Sequence, residues 1–491
     1  MTTINPIPFS FAKRYGVLFS GIENNLAKII YRNQPDIFVL NELRRYLSST
    51  LVLEQVDEET FGKMLVRSYE MDSNTAMLMA EDIGENINLS DLMQDLPKPE
   101  DLLERSDDAP IIRLLNALLS EAIKESASDV HIETFEDRIK VRFRVDGVLR
   151  EILEPQRVLA PLIVSRIKVM AKLDIAEKRL PQDGRITLRI AGRAVDVRVS
   201  TMPTSHGERV VLRLLDKQSA RLNLLDLGML PSTLQLMQKL IKEPHGIILV
   251  TGPTGSGKTT TLYAAITALN NATRNILTVE DPIEFDLPGI GQTQVNHKVN
   301  MTFAKGLRSI LRQDPDIVMV GEIRDVETAQ IAIQASLTGH LVLSTLHTNS
   351  AIGAITRLDD MGIEPFLLSS SLIGVLAQRL VRLLCVHCKK AVPATALECE
   401  TMGIDLASAP EIFTPVGCER CRVSGYSKRS GVYELIVVDE KLKSMIHDRA
   451  SEADMKKYAR ESFPSIRTDG YLRVLGGETS LEEIVRVTSE E

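Results

Sequence analysis

Apolar positions along the chain change their spacing from region to region. In "IIRLLNALLSEAIKES" (111–126) they recur at helical intervals, which predicts an amphipathic helix. In "RIKVRFRVDGVLREI" (138–152) they alternate with polar residues on either side of Asp146-Gly147, the pattern of a β-hairpin. "GRITLRIAGRAVDVRVS" (184–200) alternates again around Ala191-Gly192. Residues 111 to about 225 therefore predict an α+β domain with an antiparallel sheet. From about 226 the pattern shifts to short continuous apolar runs: "GIILVTG" (246–252), "NILTVED" (275–281), "DIVMVGE" (316–322) and "HLVLSTL" (340–346). Helical segments separate them. Strands buried on both faces of a parallel sheet give such runs, so this half predicts an α/β nucleotide-binding architecture. Beyond 425 a polar, periodic pattern predicts a small helical end domain.

Charge changes the picture in one place. Residues 81–110 hold ten acidic residues against Lys98 and Arg105, which matches the whole formal net charge of −8. This Pro-containing acidic stretch reads as a linker between domains. It leaves the remainder near neutral, without the basic excess of a protein that tracks nucleic acid. The expected organisation is a small mixed N-terminal domain at 1–80, the linker at 81–110, the middle α+β domain at 111–225 and the nucleotide-binding domain at 226–491. The N-terminus lacks the apolar core of a secretory signal, and no run reaches the 18 or more apolar residues of a spanning helix. A soluble, cytoplasmic chain is expected, held at any membrane by a partner.

The first chemistry is "GPTGSGKTT" (252–260), which fits G-x-x-x-x-G-K-[ST] with an apolar strand before it and a helix after it. Gly252, Pro253, Thr254, Gly255, Ser256, Gly257, Lys258, Thr259 and Thr260 are the expected phosphate-binding residues. The glycines allow backbone N–H groups to turn toward phosphate, at a helix N-terminus whose dipole favours anions. Lys258 would neutralise the β/γ-phosphates of ATP, and the Thr259 hydroxyl would reach Mg²⁺.

Hydrolysis needs more. "DIVMVGEIRD" (316–325) is an apolar strand with Gly321 where an Asp commonly ends it, followed by Glu322. Glu322 thus suits the attacking water better than the metal. "TVEDPIEF" (278–285) offers Glu280 and Asp281 for the water or Mg²⁺ shell. Isolated acids at strand ends are ordinarily solvated caps, but two behind a P-loop favour function. "TGHLVLSTLHTNSA" (338–351) brings His340 and His347, with Thr345, Thr348 and Asn349, to the two ends of a core strand; the set around His347 is suited to sensing a γ-phosphate. Positive charge for the transition state could come from Arg198, Arg209 or Arg213 in the middle domain, or from Arg308 or Arg312; composition does not choose among them.

The five cysteines close the inventory. Cys385/Cys388 and Cys418/Cys421 form two CxxC pairs separated by 29 residues (389–417). Paired knuckles suit tetrahedral Zn²⁺, with no open position for catalysis. The long spacing predicts a small excursion between them, within a zinc subdomain at 380–425. Cys399 is left over, and His387 is expected to be a bystander.

Taken in order, the P-loop, "TVEDPIEF", "DIVMVGEIRD" and "TGHLVLSTLHTNSA" resemble the Walker A, aspartate, Walker B and histidine boxes of the type II secretion and type IV pilus assembly ATPase family, and within it the type II secretion branch. The resemblance runs from about 110 to 491, through "ASDVHIE" (127–133), "RLPQDGRI" (179–186), "STMPTSHGERVVLRLL" (200–215) and "GETSLEEIVRVT" (477–488); "PFSFAKRYGV" (8–17) matches the family's N-terminal domain more loosely. It implies a RecA-like P-loop NTPase core preceded by the α+β domain, the N-terminal domain and a tetracysteine zinc subdomain. It implies a homo-hexameric, ATP-hydrolysing motor that drives pseudopilus assembly and protein export across the outer membrane.

By match of position, Glu322 is the catalytic glutamate, Arg198 and Arg213 are the middle-domain arginines that reach nucleotide phosphates, and Arg308 and Arg312 are the second pair. The implied partners are the cytoplasmic part of a bitopic inner-membrane protein, met by the N-terminal domain, and an inner-membrane platform protein. That places the chain peripherally on the cytoplasmic face. A pilus assembly ATPase is the alternative. A zinc-containing DNA translocase is disfavoured by the missing basic excess, and a non-hydrolysing scaffold by intact Lys258, Thr259 and Glu322.

Overall fold

The computed structural model describes residues 11–12, 15–23, 26–47, 50–58, 60–61, 64, 109–190, 193–216 and 223–489. The predicted linker falls outside the described residues except for 109–110. The chain separates into two compact units, Met1–Gln218 and Ser219–Glu491.

The first unit opens with β1 (Val17–Glu23), β2 (Leu26–Tyr31), α1 (Ile37–Leu47) and β3 (Thr50–Gln55). β1 pairs antiparallel and β3 parallel with β2, over a core of Val17, Phe19, Ile29, Leu43 and Phe61. Then come α2 (Ala109–Lys124), β4 (Asp129–Thr134), β5 (Ile139–Val145), β6 (Val148–Leu153), α3 (Ala160–Met170), β7 (Gln182–Ile190), β8 (Arg193–Thr204) and β9 (Gly207–Asp216). Helix α2 buries Ile111, Leu114, Leu115, Leu118 and Ala122 along one stripe, as its spacing predicts. The six strands form an antiparallel sheet in the order β6-β5-β4-β9-β8-β7. The β5–β6 turn places Asp146 at φ 50° and Gly147 at φ 83°, the left-handed pair that a two-residue hairpin requires.

The second unit continues with α4 (Pro231–Leu240), β10 (Gly246–Thr251), α5 (Lys258–Leu269), β11 (Ile276–Glu280), β12 (Gly291–Gln294), α6 (Phe303–Ile310), β13 (Ile317–Val320), α7 (Val326–Leu337), β14 (Leu341–Leu346), α8 (Ala351–Asp360), α9 (Pro365–Ser371) and β15 (Leu372–Leu384). An excursion of β16 (Lys390–Pro393), α10 (Ala396–Met402) and β17 (Glu411–Thr414) follows. β18 (Tyr426–Val437), α11 (Glu440–His447), α12 (Glu452–Ser462), α13 (Ile466–Leu475) and α14 (Leu481–Val487) end the chain. The main sheet has the order β12-β11-β13-β14-β10-β15-β18, parallel throughout except that β18 runs against β15. Two apolar clusters flank it, so β10, β13 and β14 are buried along their whole length.

The region beyond 425 differs from its prediction. It starts with a 12-residue strand, and α11–α14 bury Leu442, Ile446, Met455, Val474 and Ile484 in the same core as Leu249 and Val375. It is therefore part of the nucleotide-binding fold. The exposed Ser427, Lys428 and Arg429 on this edge strand gave it a polar pattern that hides a strand.

Candidate active site and cysteine centre

The glycine-rich loop sits where β10 meets α5. Gly252, Gly255 and Gly257 have φ of 149°, 80° and 88°, values that favour glycine. At Gly252 there is no room either: an added Cβ would lie 2.5 Å from the Gln378 carbonyl oxygen and 2.7 Å from Ser256 Oγ. The end of β10 is tied to the segment after β14, because Thr251 Oγ1 accepts the Thr348 amide at 2.9 Å and lies 3.1 Å from the Leu346 carbonyl.

Lys258 is buried, with Nζ donating to the carbonyls of Gly252 (2.8 Å) and Pro253 (3.1 Å). Burial lowers its pKa to about 8; the Glu322 carboxylate opposes that shift and the Arg379 guanidinium adds to it. Pro253, Thr254, Gly255, Thr259 and Thr260 are exposed, so the concave side of the loop and the first hydroxyls of α5 are open to a ligand. This is a cradle for a polyphosphate, and Thr259 stands where it could meet a metal bound to that phosphate.

Glu322 lies just past β13, and its backbone neighbours are fixed on both sides. The Gly321 amide donates to Val279 O at 2.8 Å and the Ile323 amide to Thr345 O at 3.0 Å. The Thr345 hydroxyl donates to Gly321 O at 2.8 Å. The Glu322 carboxylate is 14% exposed, paired with Arg324 Nη2 at 2.5 Å on one oxygen and with His347 Nε2 at 3.3 Å on the other. The Glu322 carboxylate acts electrostatically on Lys258. An acid so placed, mostly buried and held on both oxygens, suits a water-orienting group.

The other predicted residues divide sharply. Glu280 is buried, and its carboxylate accepts from the Tyr263 hydroxyl, the Thr278 hydroxyl (2.6 Å) and Gln292 Nε2 (3.0 Å). This network joins the aspartate-box strand to α5. The structure gives Glu280 internal donors rather than an open face. Asp281 is more exposed and lies 3.4 Å from His297. His340 sits at the start of β14, with Nδ1 2.8 Å from Ala335 O, at the opposite end of the strand from Thr345 and His347.

Arg308 pairs with Glu327 at 2.7 Å on the surface, and Arg312, in the turn just past α6, donates to Arg308 O at 2.9 Å. Arg198 (β8) and Arg213 (β9) are register partners in the first unit, where Arg213 Nε donates to Asp129 at 2.8 Å and Arg209 pairs with Glu133 at 2.6 Å. The loop and Glu322 thus come together with His347.

Sequence reasoning passed over three side chains here. Arg324 holds Glu322. Tyr263 holds Glu280. Gln378 on β15 donates to Ser256 O at 2.6 Å and accepts from Thr261 Oγ1 at 2.8 Å, packing the loop from behind. Only Arg324, in the quoted "GEIRD", stood inside a motif; the others are joined to their partners across the fold.

The four paired cysteines converge. Their sulfurs all lie within 4.8 Å of one another, with Cys385–Cys418 at 3.9 Å and both Cys388–Cys421 and Cys418–Cys421 at 3.7 Å. A metal about 2.3 Å from four tetrahedral sulfurs spaces them about 3.8 Å apart, so the donor set fits Zn²⁺. Amides of Cys418 (3.1 Å) and Gly425 (3.2 Å) point at Cys421 Sγ, as thiolates in such knuckles require. His387 instead packs against Arg420, and Cys399 is buried in α10 away from the cluster. The excursion between the knuckles is a two-strand sheet, β16–β17, with α10.

Residues 104–486 match the family model of type II/IV secretion system proteins, and residues 6–69 match that of an N-terminal domain of GSPII protein E. The chain is 62% identical over 485 residues to type II secretion system protein E of Pseudomonas aeruginosa, covering 99% of this chain and 96% of that one. It is 58% identical over 490 residues to type II secretion system ATPase E of Vibrio cholerae, covering 99% and 97%. Among solved structures, the pilus retraction motor PilT with bound ADP aligns at 26% identity and a TM-score of 0.51, over 75% of this chain and 95% of that chain. The ATPase DotB of Legionella pneumophila aligns at 21% and 0.58, over 83% and 100%, a likeness of fold.

Proposed function

The chain belongs to the type II/IV secretion system protein family, and from that premise we propose how its residues work. It is an ATP hydrolase with a RecA-like core, the motor ATPase of a type II secretion system. The observation that carries the mechanism is Glu322, fixed beside the P-loop lysine and flanked by His347 and Arg324.

Lys258 leaves the Gly252 and Pro253 carbonyls to meet the β/γ-phosphates, and residues 252–260 wrap them. Thr259 would hold Mg²⁺, which supplies charge neutralisation on the phosphates. Glu322 orients the attacking water and takes its proton, and His347 fixes the Glu322 rotamer. Arg198, Arg213, Arg308 and Arg312 supply positive charge to a nucleotide held between subunits of a homo-hexamer. This assignment is supported by the exposure of Arg213, Arg308 and Arg312 and by the position of all four in the family's motifs. Cys385, Cys388, Cys418 and Cys421 hold a structural Zn²⁺.

Residues 1–80 dock on the cytoplasmic part of a bitopic inner-membrane protein, 81–110 link, 111–225 form the middle domain and 226–491 the ATPase domain with its zinc subdomain at 380–425. The match of residues 6–69 to an N-terminal domain of GSPII protein E supports the docking role. Among the described residues no helix is long and apolar enough to cross a membrane, which agrees with a peripheral placement on the cytoplasmic face. ATP turnover drives pseudopilus assembly against an inner-membrane platform. The test is to replace the chromosomal copy with Lys258→Ala. Type II substrates should accumulate in the periplasm while surface pili persist; lost pili with intact secretion would instead favour the pilus assembly reading.

A further inference from the structure

Gln378 is 1% exposed, and both ends of its amide are used. Nε2 donates to the Ser256 carbonyl, two residues before Lys258, and Oε1 accepts from the Thr261 hydroxyl, three residues after it. The amide therefore bridges the phosphate loop and the first turn of α5 across the lysine. Its backbone carbonyl closes a third side, against Gly252. The same carbonyl accepts from Arg379 Nη1 at 3.1 Å, and Arg379 Nη2 reaches the Asn349 carbonyl at 2.9 Å, in the segment that carries His347. Inside this cradle the buried Ser256 hydroxyl has no hydrogen-bond partner among the described residues.

The strand that carries Gln378 leads to the cysteine centre. β15 pairs with β10 only as far as Thr251–Ala377; beyond it, β18 is its partner, to Leu384–Tyr426, and the Cys385 amide donates to Gly425 O at 2.9 Å. The far end is clamped. Arg382 meets Glu483 through its amide (3.0 Å) and its guanidinium (2.8 Å), its carbonyl accepts from Thr479 at 2.7 Å, and the Leu384 amide donates to Glu478 O at 2.8 Å. The eight residues from Gln378 to Cys385 span about 23 Å of extended chain in a paired, laterally supported ribbon.

We propose that Gln378 is a positioning residue for the phosphate loop, and that β15 is the strut through which occupation of the loop reaches the tetracysteine excursion. A ligand that draws the loop toward its phosphates pulls on the Ser256 carbonyl and the Thr261 hydroxyl. Gln378 is the side chain that grips both. With its far end bonded to α14 and Cys385, the strand passes that displacement along its axis rather than bending. A buried glutamine that only satisfied the Ser256 carbonyl would affect stability alone.

The inference rests on the reading that the loop binds nucleotide, and the experiment separates the two. Full-length protein, Gln378→Leu and Gln378→Glu are titrated with a fluorescent ADP analogue, and hydrogen exchange of residues 380–425 is followed with and without saturating nucleotide. The native chain should bind, with altered exchange at both knuckles. Both variants should bind on the order of tenfold more weakly, from loss of the amide bridge. At saturation their knuckles should no longer respond. Gln378→Glu keeps the acceptor for Thr261 and the side-chain shape, so it decides the matter if the leucine variant does not fold. Native affinity in the variants, or an undiminished knuckle response, overturns the proposal. Failure of the native chain to bind nucleotide overturns the P-loop reading and this inference with it.

Discussion

Glu322 Oε2 lies 3.3 Å from His347 Nε2, and Oε1 lies 2.5 Å from Arg324 Nη2, so one carboxylate is gripped by two side chains from different segments. If His347 acts by fixing that carboxylate, His347→Ala should lower kcat between about tenfold and a hundredfold, the cost of a misplaced catalytic group. KM for ATP should hardly move. Steady-state kinetics of the assembled protein decides this; a raised KM with native kcat would make His347 a nucleotide ligand instead.

Lys258 sets a pH dependence. Its folded-state pKa is lowered from 10.5 to about 8, chiefly by burial. As pH rises through about 8 the free protein loses the loop's positive charge, so nucleotide affinity should fall with a midpoint there. Stability moves the other way. Between about 8 and 10.5 the unfolded chain binds the extra proton, so this group makes stability rise with pH over that window. Nucleotide titration and denaturant unfolding across the window should diverge; affinity that stays flat through this midpoint would contradict the assignment.

Tyr263 donates to a buried carboxylate, and burial raises its own pKa. Tyr263→Phe should destabilise the ATPase unit by about 1.5–3 kcal/mol, the range for a hydrogen bond to a charged group. Glu280→Ala should cost more, since it strands Thr278, Gln292 and Tyr263 together. Calorimetric midpoints against ATPase KM will tell. Strong loss of turnover in Glu280→Ala at native stability would mean that its carboxylate leaves this network to act on substrate or metal.

The hairpin at Asp146-Gly147 and the four buried strand runs were legible because turn chemistry and burial leave local marks. So was the loop at 252–260. β15 left no such mark: "LIGVLAQRLVRLL" is apolar nearly throughout, and such a run reads as helix or strand alike. Gln378 lies 117 residues from Thr261, a pairing that only the folded sheet creates. Glu280 was legible as an acid at a strand end but not as the centre of a network, because Tyr263 and Gln292 reach it from α5 and β12.

The cysteine centre should hold a single zinc ion per chain by elemental analysis. Chelation should raise hydrogen exchange across 380–425, while ATP still binds. Loss of nucleotide affinity in step with loss of metal would show that the centre also supports the phosphate loop in its resting form.

We propose that the P-loop and Glu322 together hydrolyse ATP, and the deciding measurement compares ATP turnover and nucleotide binding of the assembled native chain with those of Glu322→Gln. Turnover should fall by about a hundredfold or more, the contribution of a positioned general base, while nucleotide still binds. Unchanged turnover in Glu322→Gln would rule out Glu322 as the group that activates the water.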